Sequence, residues 1–200
     1  MKEIYYFGSF NPIHKGHIMI ASIAASVFDC KVHITPSPCS PFKNKKDMLP
    51  IDVRQFVIKE CIKDWKSLDM SDIDIEVGAD KNQHYSYETL EVIKEHTNAR
   101  PKEIGFLFGA DVLAEFDKWK NWKWIYNNFE LIVYPREGDK IKSLLKKYPE
   151  VKCVTDNFDM TFNYSSTMIR EMFKEYDKYE NELMTLYDDK CLMILKKYLL

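Results

Sequence analysis

The stretch Ile4–Ala21, IYYFGSFNPIHKGHIMIA, decides the fold. It opens as a β-rich apolar run, breaks at Gly8 into a loop, and leaves that loop through Asn11-Pro12, a turn signal. His14 and His17 stand three residues apart where the loop meets the next element. From His17 to Phe28 small and apolar residues follow at helical spacing. A strand that passes through a glycine loop into a helix is the opening unit of a wound α/β sheet.

The rest of the chain extends this alternation. KVHITP (31–36) reads as a second strand, ended by the proline-rich SPCSPFK. Val53, Phe56, Val57, Cys61, Ile62 and Trp65 recur at helical spacing over residues 51–65, and residues 87–96 read as a further helix. DIDIEV (72–77) alternates as a strand does. EIGFLF (103–108) is almost continuously apolar, which marks a central strand covered on both faces. A tryptophan-rich helical segment over 110–129, the strand ELIVY (130–134), a helix over 139–148, VKCVTD and forty helical residues complete the chain. The pattern predicts one α/β domain over 1–200, a doubly wound, Rossmann-like parallel sheet with a helical C-terminal segment. Ligands of such sheets sit at the carboxyl ends of the strands, where the Gly8 loop would lie.

Composition narrows the partners. The 29 Lys and Arg nearly balance 31 Asp and Glu, for a net charge of −2, so no global field draws the chain to nucleic acid or to a membrane. The five cysteines, Cys30, Cys39, Cys61, Cys153 and Cys191, are scattered and never spaced C-x-x-C, which argues against a disulfide framework or a zinc knuckle. Reduced thiols and a start that runs directly into a strand lead us to expect a cytoplasmic protein.

Three stretches carry chemistry. In the first, Gly8 permits a close backbone approach, and Gly16 and His17 sit at a helix start, where open N–H groups and the helix dipole attract anions. His14 and His17 add donors, so the loop suits a polyphosphate. It has neither the closing GK[ST] of a P-loop nor the ligand set of a catalytic zinc, so no protein-held metal is expected. In the second, Ser165, Ser166 and Thr167 precede a helical run with Arg170 one turn along, which is either a second phosphate cradle or an ordinary helix cap. In the third, Gly109-Ala110-Asp111 closes the central strand, placing Asp111 to accept from ribose hydroxyls or to cap the next helix. Trp119, Trp122 and Trp124 follow, and spacing does not choose among them.

Together GSFNPIHKGH, GADVLAEFDKWKNW and SSTMIR resemble, in order, the three signatures of the nicotinate (or nicotinamide) mononucleotide adenylyltransferases of the HxGH nucleotidyltransferase superfamily. The resemblance implies that ATP and a pyridine mononucleotide react to a dinucleotide and pyrophosphate, with Mg²⁺ carried by substrate phosphates. It implies that His14 and His17 contact the ATP phosphates and stabilise the transition state. Gly8, Ser9, Phe10 and Gly16 would lie along the nucleotides, while Ser165, Ser166, Thr167 and Arg170 would hold the outer phosphates. Gly109 and Asp111 would face a ribose, Trp119 would stack on the pyridine ring, and Lys43, Tyr87 and Thr89 would complete the mononucleotide side. Two stretches depart from the family pattern: YSYETL (85–90) shortens its serine-tyrosine-threonine run, and SPFK (40–43) replaces its Pro-Pro-His-Lys.

Nicotinate is the expected acceptor, by resemblance alone. Nicotinamide mononucleotide, a sibling transferase with another phosphate acceptor, and a non-catalytic nucleotide-binding module are the competing readings. Phosphopantetheine adenylyltransferases usually carry threonine where His14 stands. Cytidylyltransferases match less across GADVLAEFDKW, and aminoacyl-tRNA synthetases are longer and have a KMSKS-like loop. A homo-oligomer is compatible with the sequence.

Overall fold

In the computed structural model, residues 1–38, 48–79, 84–135, 141–155 and 164–200 are described. Six parallel strands form one sheet in the order β3-β2-β1-β4-β5-β6. They are β1 (Glu3–Gly8), β2 (Lys31–Pro36), β3 (Leu68–Met70), β4 (Ile104–Gly109), β5 (Glu130–Tyr134) and β6 (Lys152–Cys153). The chain builds outward from β1 through β2 to β3, then returns to place β4 on the other side of β1. The strand order therefore reverses between β1 and β4, and connections leaving their carboxyl ends diverge to open a crevice.

Period-two alternation assigns side chains to the two faces. Ile4 and Tyr6 of β1, Leu107 of β4 and Ile132 of β5 join one core, packed by α1 (Lys15–Phe28), α2 (Ile51–Ile62) and the C-terminal helices α8 (Ser166–Lys174), α9 (Tyr176–Leu186) and α10 (Asp189–Leu199). Tyr5, Phe106, Phe108, Leu131 and Val133 join the other, covered by α4 (Ser86–Thr97), α5 (Ala110–Ala114), α6 (Trp122–Asn128) and α7 (Ile141–Lys147). All six positions of β4 are buried, as its unbroken apolar run requires. Within it Gly105 leaves room for a close approach: a Cβ there would stand 2.6 Å from Ile4 Cγ1.

Two expectations fail. DIDIEV is not a strand: the edge strand is Leu68–Met70, and Ile73–Gly78 forms the short helix α3. The Ser71 amide still bonds to the Ile34 carbonyl, after which the Asp72 carbonyl accepts from Ile75 and Glu76 and turns the chain. The helical turn also delivers Asp74 into a buried polar contact described below. The 110–129 segment is three pieces, α5, a 3₁₀ turn (Phe116–Lys118) and α6. Asn121 adopts the left-handed region at φ 55°, which asparagine tolerates, and this breaks the helix before Trp122.

Candidate active site

The Gly8 loop emerges from the carboxyl end of the central strand, as its position in the sequence requires. Gly8 is needed because the Phe10 ring folds back over it; a Cβ there would lie 2.9 Å from Phe10 Cζ. Phe10 takes a positive φ of 42° and is buried, so the loop is pinned at its centre by an aromatic side chain. The Asn11-Pro12 bond is cis.

His14 is the N-cap of α1, and its Nδ1 accepts from the Gly16 amide at 3.2 Å. His17 reaches back so that its Nδ1 accepts from the His14 amide at 3.3 Å. This reciprocal pairing satisfies two donors at the helix start with imidazoles in place of the usual hydroxyl and carboxylate. It also selects the tautomer. With Nδ1 of each ring accepting, a neutral imidazole carries its proton on Nε2, so both histidines present Nε2–H donors. The ring centroids are 3.8 Å apart, and Phe10 stands edge-on to His17 at 5.1 Å.

The distant SSTMIR stretch arrives at this same loop. Ser165 caps α8, its Oγ accepting from the Met168 amide at 3.1 Å. Ser166 Oγ donates to the Pro12 carbonyl at 2.9 Å, and Arg170 Nη1 donates to the Asn11 carbonyl at 2.7 Å. Arg170 Nη2 also meets Thr167 Oγ1 at 3.3 Å. The starts of α1 and α8, each with a positive dipole end, are therefore fastened together through main-chain carbonyls of the loop between them.

On the other side of β1, Gly109 ends β4 and caps α5, and Asp111 is exposed in the first turn of that helix. The structure distinguishes the tryptophans that spacing left equivalent. Trp122 packs edge-on to Phe116 and Tyr148, and Trp124 lies against Phe129 and under Lys94. Trp119, half-buried after the 3₁₀ turn, meets Phe106 and Phe108 of β4, and Phe7 at the end of β1 stands edge-on to Phe106. Tyr87 is half-buried near the start of α4, with Lys120 above its ring and that of Tyr85.

Thr89 lies one turn into α4. It is fully buried, its hydroxyl donates to Asp74 at 2.5 Å, and His84 Nε2 lies 2.8 Å from both. Lys43 falls outside the described residues.

Sequence reasoning missed two residues that shape the loop. Arg54 on α2 is 2 % exposed, and its guanidinium donates to the carbonyls of Ser9, Ser37, Pro38 and Leu49. One buried cation thus gathers the connections that follow β1 and β2. The available signal was its helical spacing to Ile58, which puts it on the apolar face of α2. Tyr187, between α9 and α10, donates from its buried hydroxyl to the Ile13 carbonyl at 2.6 Å. Nothing in the local sequence marks that contact.

Residues 5–172 match the family model described as Cytidylyltransferase-like. A relative from Clostridium tetani, named "Probable nicotinate-nucleotide adenylyltransferase", is 30% identical over 204 residues, covering 98% of this chain and 97% of its own. One from Clostridium acetobutylicum bearing the same name is 32% identical over 205 residues, with 98% and 96% covered. The chain belongs to the nicotinate-nucleotide adenylyltransferase family.

The fold agrees with this family. The Plasmodium falciparum nicotinic acid mononucleotide adenylyltransferase, solved in complex with NaAD, superposes with a TM-score of 0.74 at 19% identity, covering 99% of this chain and 96% of that one. The same enzyme complexed with APC gives the same values. Among the described residues no helix is long and apolar enough to cross a membrane.

Proposed function

We propose that this protein transfers the adenylyl group of ATP to the phosphate of nicotinate mononucleotide, releasing pyrophosphate and forming the deamido dinucleotide of NAD biosynthesis. The observation that carries the reading is the fastening of α8 to the histidine loop by Arg170 and Ser166. It gives one crevice two helix starts, two imidazole donors and a guanidinium, a set suited to a triphosphate. The names of the relatives supply the acceptor.

The attacking mononucleotide phosphate is already an anion, so the reaction needs positioning and charge stabilisation rather than a general base. The Nε2–H groups of His14 and His17 would meet the α-phosphate oxygens as negative charge develops there. Their Nδ1 contacts hold the donors in place, so little reorganisation accompanies the reaction. Arg170, Ser165, Ser166 and Thr167 would hold the β- and γ-phosphates as pyrophosphate departs. Gly8, Ser9, Phe10 and Gly16 would line the nucleotide path, and Asp111 beside Gly109 would accept from a ribose. Trp119 would stack on the pyridine ring with Tyr87 alongside, and Lys43 would meet the mononucleotide phosphate. Thr89 would support this side through Asp74 and His84.

Among the described residues no group of three or more His, Cys, Asp or Glu could hold a metal ion. A Mg²⁺ held by phosphate oxygens and water needs no such group. When bound it would neutralise charge on the departing pyrophosphate.

The test is pyrophosphate release from ATP and Mg²⁺ with nicotinate mononucleotide or nicotinamide mononucleotide as acceptor. Turnover with the first, exceeding that with the second, supports the reading. Saturable ATP binding without turnover on either would replace it with a binding module or another acceptor.

A further inference from the structure

The turn between α9 and α10 supports the histidine loop through one side chain. Tyr187 closes α9, its amide donating to the Leu183 carbonyl at 3.0 Å, and the next residue, Asp188, caps α10 by accepting from the Cys191 amide at 2.9 Å. Asp188 also meets Lys63 Nζ at 3.1 Å, just beyond the end of α2, so the turn is anchored on both sides. Tyr187 is buried, and its hydroxyl donates to the Ile13 carbonyl at 2.6 Å. That oxygen belongs to the peptide whose N–H is the His14 amide, and the same amide donates to His17 Nδ1 at 3.3 Å. A trans peptide carries its C=O and N–H on opposite edges of one plane. Tyr187 and His17 therefore hold the two edges of a single peptide group.

From this geometry we infer that Tyr187 is a positioning residue for His17: its hydroxyl fixes the Ile13–His14 peptide, and that peptide fixes which edge of the His17 imidazole faces the main chain. On the adenylyl transfer proposed above, this aims the Nε2–H donor at the α-phosphate; the coupling through the peptide stands without it. Packing limits where the His17 ring lies, since Phe10 stands edge-on at 5.1 Å and Tyr6 lies 6.2 Å away. Aromatic neighbours do not choose between the two ring nitrogens; the hydrogen bond made at Nδ1 does. A carbonyl that accepts a hydrogen bond polarises its peptide and makes the N–H on the other edge a better donor. A better donor at the His14 amide keeps His17 Nδ1 an acceptor, and the proton stays on Nε2. Burial pushes the Tyr187 phenol well above its ordinary value, so the hydroxyl remains a donor.

The two preceding carbonyls of the loop, Asn11 and Pro12, are held by Arg170 and Ser166, which the proposed reaction also needs for phosphate. Tyr187 has no such second duty. Its hydroxyl can be removed without touching a group that meets substrate.

The test deletes that hydroxyl alone, in Tyr187→Phe, and reads His17 in two ways. The first needs no turnover. With isotope-labelled imidazole nitrogens at about pH 8.5, above the ordinary titration of imidazole, NMR shows which nitrogen of His17 carries the proton. His17→Ala identifies its signals. Wild type should show the Nε2–H tautomer, and Tyr187→Phe should shift His17 toward a mixture of tautomers while His33, His84 and His96 stay in place. The second reading is kinetic. In Tyr187→Phe kcat should fall about tenfold, with the KM for ATP and for the mononucleotide within about twofold of wild type, because a donor is misaimed and no binding contact is lost. The same substitution placed on His17→Ala should change kcat by less than about twofold, since the hydroxyl acts through that ring. A merely structural role would slow both backgrounds alike. A wild-type His17 protonated on Nδ1, His17 signals unmoved in folded Tyr187→Phe, an unchanged kcat, or an equal loss of kcat in both backgrounds would each overturn the inference. The first is read on the wild-type protein and needs no variant to fold. If wild type turns over no mononucleotide, the adenylyl-transfer reading fails while the imidazole signals still decide the coupling.

Discussion

Arg170 on α8 donates to the Asn11 carbonyl at 2.7 Å, across 159 residues of chain. One helix start is thereby oriented on another, and the guanidinium is held at the crevice by main chain rather than by a carboxylate. We expect Arg170→Ala to raise the KM for ATP at least about tenfold and to lower kcat, since a fork that both binds phosphate and locates the loop is lost. Steady-state kinetics at varied ATP check this; an unchanged KM for ATP would remove α8 from the phosphate site.

His17→Ala should lower kcat by about 10²–10³, roughly 3–4 kcal/mol, the usual loss for one preorganised donor. The fold should survive, because His17 is only half-buried and its capping contact is a single 3.3 Å bond. Circular dichroism and Tm establish that first. A kcat within tenfold of wild type would take His17 off the catalytic list.

Arg54→Met should destabilise the protein by about 3 kcal/mol or more, because it strips donors from the carbonyls of Ser9, Ser37, Pro38 and Leu49 in a buried site. Urea unfolding reports the loss. A shift in midpoint below that expected for a surface arginine would mean the loops hold themselves.

Most of the strands and the sheet's direction were readable because each rests on local periodicity or on contiguous residue types. KVHITP and ELIVY match β2 and β5 end to end. DIDIEV misled because strict alternation over six residues ignores the Asp72 carbonyl, whose bonds to Ile75 and Glu76 start a helix. The Thr89 hydroxyl was legible, but its meeting with Asp74 and His84, brought in by separate turns, was not. Arg54 and Tyr187 act on main-chain carbonyls far away in sequence, and a carbonyl leaves no trace in residue type.

Asp188 offers a pH-dependent test of the α10 cap. The Cys191 amide, with Lys63 beside it, lowers its carboxyl to about 2. A carboxyl depressed on folding contributes stability that is complete above its unfolded value, about 4, and is lost as pH falls through its folded one. Asp188→Ala should therefore cost about 1 kcal/mol at pH 6. The Tm gap between variant and wild type should narrow from about pH 4 toward pH 2. A gap that is constant across that range would show that the cap does not depend on the charge.

The most direct measurement of the central claim offers ATP, Mg²⁺ and equal concentrations of nicotinate and nicotinamide mononucleotides to the protein in one reaction and separates the products by chromatography. The account predicts one pyrophosphate per dinucleotide formed, with the deamido dinucleotide in excess and its formation suppressed in His17→Ala. Absence of any dinucleotide from protein that binds ATP, or a product drawn mainly from nicotinamide mononucleotide, would contradict it.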